Sequence, residues 1–278
     1  MEYLRIEEEF PRLSGSAVTL GKFDGIHRGH RKLIQKILDQ KAEGAQSVVC
    51  AFESSSQMIL SHRERRKLLE YMGVDILLEC PLDDRLRHMK AENFVKEILV
   101  GDLNAVYVAV GEDYRFGYER KGNAALLQTF GKKYGFTVEI LPKEMDGHRK
   151  ISSTYIREEL KKGNMEKITE LLGCDFFLDG VVEHGQGLGH KVLFPTVNLI
   201  PPSQKLMPPK GVYATTSEFG GQRYEGITNV GFKPTVGGQF LGAKLIFSAV
   251  PRTCMEKKAE FPLKSFCARR KNFIPLSF

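Results

Sequence analysis

His27 and His30 stand three residues apart at the end of the run Gly21-Lys22-Phe23-Asp24-Gly25-Ile26-His27-Arg28-Gly29-His30, a spacing that places both imidazoles on one face of a first helical turn. Residues 17–20 ahead of the run read as a short buried strand. Leu33, Ile34, Ile37 and Leu38 behind it recur at helical spacing, so the glycines fall where a strand turns into a helix. A helix opening at such a corner presents unpaired N–H groups and a partial positive charge, and a phosphate suits that end. Two imidazoles there can hydrogen-bond a triphosphate as negative charge builds on it, while Gly29 between them lets a nucleotide approach the backbone. Plainer readings exist, namely two surface histidines beside a turn or half of a metal site. The length of the ordered string after a strand favours phosphate chemistry.

A second run, Ile151-Ser152-Ser153-Thr154-Tyr155-Ile156-Arg157, opens another helix. Ser152 or Ser153 suits its N-cap, and Glu158 and Glu159 favour a helix start electrostatically, so ordinary capping accounts for part of the pattern. Three hydroxyls and an arginine at a helix start also form an anion site, with Arg157 able to grip phosphate oxygens in bidentate fashion. With the histidine corner in the same chain, the anion reading is preferred.

These runs need a frame. Residues 1–172 alternate strand and helix: strands at 17–20, 47–52, 75–80, 105–110 and 137–141, helices near 30–43, 62–72, 90–100, 123–134 and 153–172. Such alternation predicts an α/β domain whose parallel sheet is covered on both faces, with ligands at the carboxyl ends of the strands. The loops 21–30, 53–56 and 111–117 are then expected to face one crevice, with Gly122 and Asn123 just beyond. Past Leu172 the helical period gives way to short β-rich pieces at 176–183, 211–217 and 224–230, which predict a small antiparallel β-barrel. The domains expected are 1–172 and 173–278.

Composition narrows the function classes. The 278 residues are 42% hydrophobic and 27% charged, a globular balance. No basic start with an apolar run and no stretch of about eighteen apolar residues occurs, so a cytoplasmic protein without a membrane span is expected. Five scattered cysteines without a C-x-x-C pair indicate neither a disulfide framework nor a zinc site. Five of the seven net positive charges fall in the last 28 residues, and no aromatic residues interleave with basic ones as in base-stacking proteins, so nucleic acid is not an expected partner. Small molecules are.

The H-x-G-H spacing of residues 27–30 resembles the signature of the nucleotidyltransferase superfamily. The longer string, with the I-S-S-T-x-I-R pattern of residues 151–157, resembles the prokaryotic bifunctional riboflavin kinase/FAD synthetase family in particular. In the second half Phe194-Pro195-Thr196-x-Asn198, Pro208-Pro209-Lys210-Gly211-Val212-Tyr213-Ala214 and Asn229-Val230-Gly231-Phe232-Lys233-Pro234-Thr235 resemble the same family's kinase barrel. The resemblance covers residues 15–240, roughly. It implies a Rossmann-like FMN adenylyltransferase domain followed by a riboflavin kinase-like barrel: riboflavin and ATP giving FMN, then FMN and ATP giving FAD and pyrophosphate, with Mg²⁺. It implies that His27, His30 and Arg157 are catalytic, that Gly21, Phe23, Asp24, Gly25, Gly29, Ser152, Ser153 and Thr154 bind the nucleotide, and that Asp113 and Phe116 line the flavin or metal side. Thr196 and Asn198 would be Mg²⁺·ATP ligands, a role suited to hard oxygen donors.

The chain departs from the pattern in two places. Ser54-Ser55-Ser56 stands where the family has Pro-His-Pro. After Gly238 the family carries a Val-Glu-Thr strand whose glutamate is the kinase base, whereas this chain reads Leu241-Gly242-Ala243-Lys244-Leu245-Ile246-Phe247 with no carboxylate before Glu256. From about residue 240 the tail is atypical, basic and broken by Pro251, Pro262 and Pro275, as a shifted reading frame would produce. Impaired kinase activity is expected. Two other functions fit parts of the pattern: a non-catalytic flavin- or nucleotide-binding protein with decayed sites, and a nucleotidyltransferase for another phosphorylated acceptor.

Overall fold

Stretches such as Ala17-Val18-Thr19-Leu20 and Val48-Val49-Cys50-Ala51 are buried residue after residue, the pattern of strands covered on both faces. In the computed structural model, which describes residues 1–7, 9–53, 57–179, 181–183, 196–219, 222–235 and 238–247, they lie in the first of two units. That unit comprises Met1–Ser56 with Arg65–Ile151, and the second comprises Gln57–Glu64 with Ser152–Phe278.

The first unit holds a six-stranded, wholly parallel sheet. Its strands are β1 (Glu2–Arg5), β2 (Ser16–Gly21), β3 (Gln46–Phe52), β4 (Ile76–Cys80), β5 (Ala105–Gly111) and, after two short strands β6 (Arg115–Phe116) and β7 (Gly122–Asn123), β8 (Thr137–Leu141). The order is β1-β4-β3-β2-β5-β8. From β2 the chain winds outward through β3 and β4, then returns to the other side of β2 as β5. The direction therefore reverses between β2 and β5, the place where doubly wound sheets open a ligand crevice at their carboxyl ends. Helix α1 (Arg28–Asp39) buries Leu33, Ile34 and Ile37.

Strand β1 was not among the expected strands; it is an edge strand with both ends exposed, paired in register with β4. Helices α2 (His62–Tyr71), α3 (Asp84–His88) and α4 (Ala91–Asn93) follow, and the expected helix 90–100 proves to be α4 continued by a π-helical stretch, Phe94–Asp102. Helix α5 (Ala124–Tyr134) is capped by Asn123, whose Oδ1 accepts the Leu126 N–H at 2.8 Å. A final hairpin pairs β9 (Met145–Asp146) with β10 (Arg149–Lys150).

In the second unit the expected helix 153–172 is two, α6 (Ser153–Lys162) and α7 (Met165–Leu172), because Gly163 takes φ +71° and ends the first. Glu159, read from sequence as favouring the helix start, lies beyond the first turn and instead accepts from Lys162 Nζ (2.7 Å) and Asn164 Nδ2 (2.8 Å), tying the two helices at their junction. Beyond them β11 (Val181–Glu183), β12 (Thr196–Ile200), β13 (Gly211–Phe219), β14 (Gln222–Thr235) and β15 (Gly238–Phe247) form an antiparallel sheet in the order β11-β12-β15-β14-β13.

Residues 57–64 are stitched into this second unit. Met58 pairs with the 204–206 backbone through Met58 N–H to Gln204 O and Leu206 N–H to Met58 O, both 2.7 Å. Ser61 and Glu64 make a capping box: the Ser61 hydroxyl accepts the Glu64 N–H (3.2 Å) and the Glu64 carboxylate accepts the Ser61 N–H (2.7 Å). The same carboxylate accepts the Asp179 N–H at 2.7 Å and Lys205 Nζ at 2.6 Å, and that ammonium also donates to the carbonyls of Ile59 (2.6 Å) and Phe177 (3.0 Å). Both charged side chains are wholly buried. Removing one partner strands the other charge, so Lys205→Met is expected to destabilise the second unit by about 3–5 kcal/mol. Adding Glu64→Gln to it should cost less than the two single changes together. Thermal melts of the three variants check this, and additive losses would contradict it.

Candidate active site

The chain leaves β2 at Gly21 and reaches α1 by a loop under visible conformational constraint. Phe23 and Ile26 both have positive φ, 46° and 43°. For a residue with a Cβ this costs roughly 1–2 kcal/mol. Complete burial of both side chains holds them there. Gly25, at φ +91°, takes the same region without that cost. Asp24 between them is buried as well.

This loop delivers His27 to the N-cap of α1, where its Nδ1 accepts the His30 N–H at 3.3 Å. The two imidazoles stack, centroids 3.7 Å apart and 14° from parallel, and Phe23 lies 5.0 Å from the His30 ring. A Cβ at Gly29 would come within 3.3 Å of the His27 ring, so glycine there keeps room for the stack; at Gly21 it would meet the Phe23 ring at the same distance. Because His27 Nδ1 is an acceptor, its proton sits on Nε2 in the neutral ring. His30 Nδ1 is closed from solvent and has no hydrogen-bond partner among the described residues. A buried polar atom in this state is open to a ligand.

Burial pushes the His27 imidazole down to about 4, and the nearby Lys143 charge adds to the effect. His30 is held well below its ordinary range by burial, then by His27 and Lys143. Both rings are neutral at pH 7, and each then carries one N–H. A depressed histidine opposes protonation of the folded state. The stability it contributes is therefore complete above pH 6.5 or so, and is lost as pH falls from there toward 4, about 3 kcal/mol for His27. His27→Asn keeps a capping side chain but removes the titration. It should lessen the fall in urea stability between pH 6.5 and 4, the remainder coming from His30, and an unchanged slope would count against the assignment.

Around the histidines stand the other strand-end loops of the first unit. Asp113, after β5, forms an ion pair with Lys143, after β8. The next residue, Glu144, accepts from Arg28 (3.2 Å) and Lys32 of α1. Lys143 and Glu144 were not singled out from the sequence, although they follow the 137–141 strand and the strand-end rule that selected three other loops applies equally here. Phe116 is buried in the sheet's hydrophobic core, 5.5 Å from the Tyr114 ring and 5.8 Å from Phe94. The loop 54–56 lies outside the described residues.

Ser152 is the N-cap of α6, its Oγ accepting the Tyr155 N–H at 3.3 Å, as the capping reading requires. Ser153, Thr154 and Arg157 follow on that helix, half-buried, exposed and half-buried in turn. From Ser152 on, this run belongs to the second unit, while His27, His30, Asp113 and Phe116 belong to the first.

In the second unit Thr196 and Asn198 are alternate residues of β12 and so share a face. Register places Glu183, Asn198, Lys244 and Asn229 in one cross-strand row. Threonine, asparagine and glutamate are residue types whose hard oxygens suit Mg²⁺. The lysine lies in the stretch matched by sequence to the family's glutamate-bearing strand and found without a carboxylate. Residues 184–195, with most of the glycine-rich run and Phe194-Pro195, and residues 248–278, with Glu256, Glu260 and the prolines of the tail, lie outside the described residues.

Comparison with known proteins finds two family models along the chain. A family model described as FAD synthetase matches residues 10–155, and one described as riboflavin kinase matches residues 172–273, continuing past Phe247 into the basic stretch. The bifunctional riboflavin kinase/FMN adenylyltransferase of Escherichia coli (strain K12) is 36% identical over 236 residues, covering 81% of this chain and 75% of that protein. Its namesake from Pseudomonas fluorescens is 34% identical over 239 residues, covering 82% and 76%. A crystal structure described as a macrolide-efflux protein from Streptococcus pneumoniae aligns over 90% of this chain and 86% of its own, with a TM-score of 0.77 and 27% identity. Among the described residues no helix is long and apolar enough to cross a membrane. With both family models in chain order and this identity over most of its length, the chain belongs to the bacterial bifunctional riboflavin kinase/FMN adenylyltransferase family.

Proposed function

We propose that this chain makes FAD in the cytoplasm, transferring AMP from ATP to FMN at the histidine corner of residues 1–172, with residues 173–278 as a riboflavin kinase domain of reduced activity. The observation that carries the proposal is the stacked, neutral His27/His30 pair at the N-terminus of α1, beside the crevice between β2 and β5. In the transfer a phosphate oxygen of FMN bonds to the α-phosphorus of ATP, and the bond from that phosphorus to the bridging oxygen of the β-phosphate breaks, releasing pyrophosphate. Little covalent work is asked of the protein; alignment and charge stabilisation are.

The His27 Nε2–H and the His30 ring are placed to donate to the developing charge, and the N-terminal N–H groups of α1 add their dipole. Gly21, Phe23, Asp24, Gly25 and Gly29 shape the nucleotide's approach, and Ser152, Ser153, Thr154 and Arg157 are assigned to its phosphates. Asp113 is the carboxylate at the crevice edge. Phe116 acts on the flavin side through the Tyr114 ring that it stacks against. Mg²⁺, when bound, supplies further charge neutralisation on the triphosphate, and Thr196 and Asn198 are the residues assigned to it in the kinase half. Flavins and ATP are the partners, with neither nucleic acid nor membrane among them.

Incubating the purified chain with FMN, ATP and Mg²⁺ and separating the products by chromatography tests the proposal. FAD and pyrophosphate should appear in equal amounts. Tight flavin or ATP binding without FAD above a heat-killed control would instead establish a non-catalytic binding protein.

A further inference from the structure

The loop after β8 belongs to neither signature run, yet it is built into the crevice. Glu144 is clasped by Arg28 and Lys32 of α1, its carbonyl accepts the Ile151 N–H at 2.8 Å, and its Cβ lies 3.8 Å from where a Cβ on Gly29 would stand. The residue before it is thereby fixed beside the first turn of the helix. That residue is Lys143. Its ammonium is paired with Asp113 of the loop after β5, and the lysine side chain is 24% exposed while the aspartate is 65% exposed. An ion pair this open is worth about 0–1 kcal/mol and is readily exchanged.

We propose that Lys143 is a phosphate-binding residue of the adenylyl-transfer site, held by Asp113 when the site is empty and turning to the triphosphate of ATP when it is filled. The proposal rests on the FAD-forming reading above. A polyphosphate carries several negative charges against the single carboxylate, and a lysine on a flexible four-carbon stem is a mobile point charge suited to following it. Its charge also bears on both imidazoles and helps to keep them neutral in the empty site. On this account Lys143 adds a permanent positive charge to the two neutral donors, a combination that answers both the charge of the substrate and the extra charge of the transition state.

The test is calorimetric titration of ATP, and separately of AMP, into the full chain and its Lys143→Met and Lys143→Arg variants, each with Mg²⁺ present. Losing a charge-assisted contact should weaken ATP binding by about 10–100-fold in the methionine variant while AMP affinity stays as in the parent, and arginine should restore ATP affinity to within several-fold. Lys143→Gln stands in if the methionine variant melts early. Unchanged ATP binding overturns the proposal, as does an equal loss for ATP and AMP, which would mark a general structural role. A parent chain that binds ATP but forms no FAD refutes the FAD-forming reading alone. A parent that forms FAD while Lys143→Met binds ATP normally refutes Lys143 alone.

Discussion

His30→Ala lowers the rate of FAD formation by about two to three orders of magnitude, the loss expected when a positioned donor to developing charge is removed from a water-poor site. Three features of the corner set the size of the effect. The ring is neutral, so it offers a directed N–H and not a diffuse charge that a neighbouring lysine could replace. It is locked between the His27 ring at 3.7 Å and the Phe23 ring at 5.0 Å, so little ordering remains to be done when substrate arrives. And its Nδ1 lacks a partner among the described residues, so removing the ring releases an unsatisfied atom and the fold should lose little. The variant should therefore melt near the parent while its turnover collapses. Near-full activity at an unchanged melting midpoint would leave the adenylyl-transfer assignment without its mechanism.

The corner was readable in the sequence because everything it needs is local. A strand, three glycines, two histidines and a helix face follow one another within about twenty residues, and the continuous burial of β2 and β3 shows in runs of small and branched apolar residues. What escaped reading depends on distance in the chain or on small backbone choices. Glu2–Arg5 is a short edge strand whose pattern says nothing of its partner β4. The break between α6 and α7 lies in one dihedral at Gly163, while the apolar spacing runs on through Leu160 and Ile168. The wholly buried pair of Glu64 and Lys205 joins residues 141 apart, and no motif marks either. Lys143 has no signature of its own; its meaning comes from Asp113 and α1, which reach it through the fold.

The same distinction governs the second large effect. Phosphorylation of riboflavin by this chain should run about two to four orders of magnitude below a site whose general base is in place, because the strand expected to carry that base is β15 and it carries none. Register makes the substitution specific: Lys244 occupies the row between Asn198 on β12 and Asn229 on β14. A lysine ammonium has three donors and no lone pair with which to take a hydroxyl proton. The one carboxylate in that row is Glu183, on β11, on the far side of Asn198 from the lysine. Riboflavin, ATP and Mg²⁺ incubated with the full chain should thus yield FMN slowly or not at all, even while FMN supplied from outside is converted to FAD. Rapid FMN production would overturn this expectation, and its loss in Glu183→Gln would then locate the base on β11. If the expectation holds, Lys244→Glu returns a carboxylate to the row and should raise FMN formation, which random decay of the whole domain would not allow.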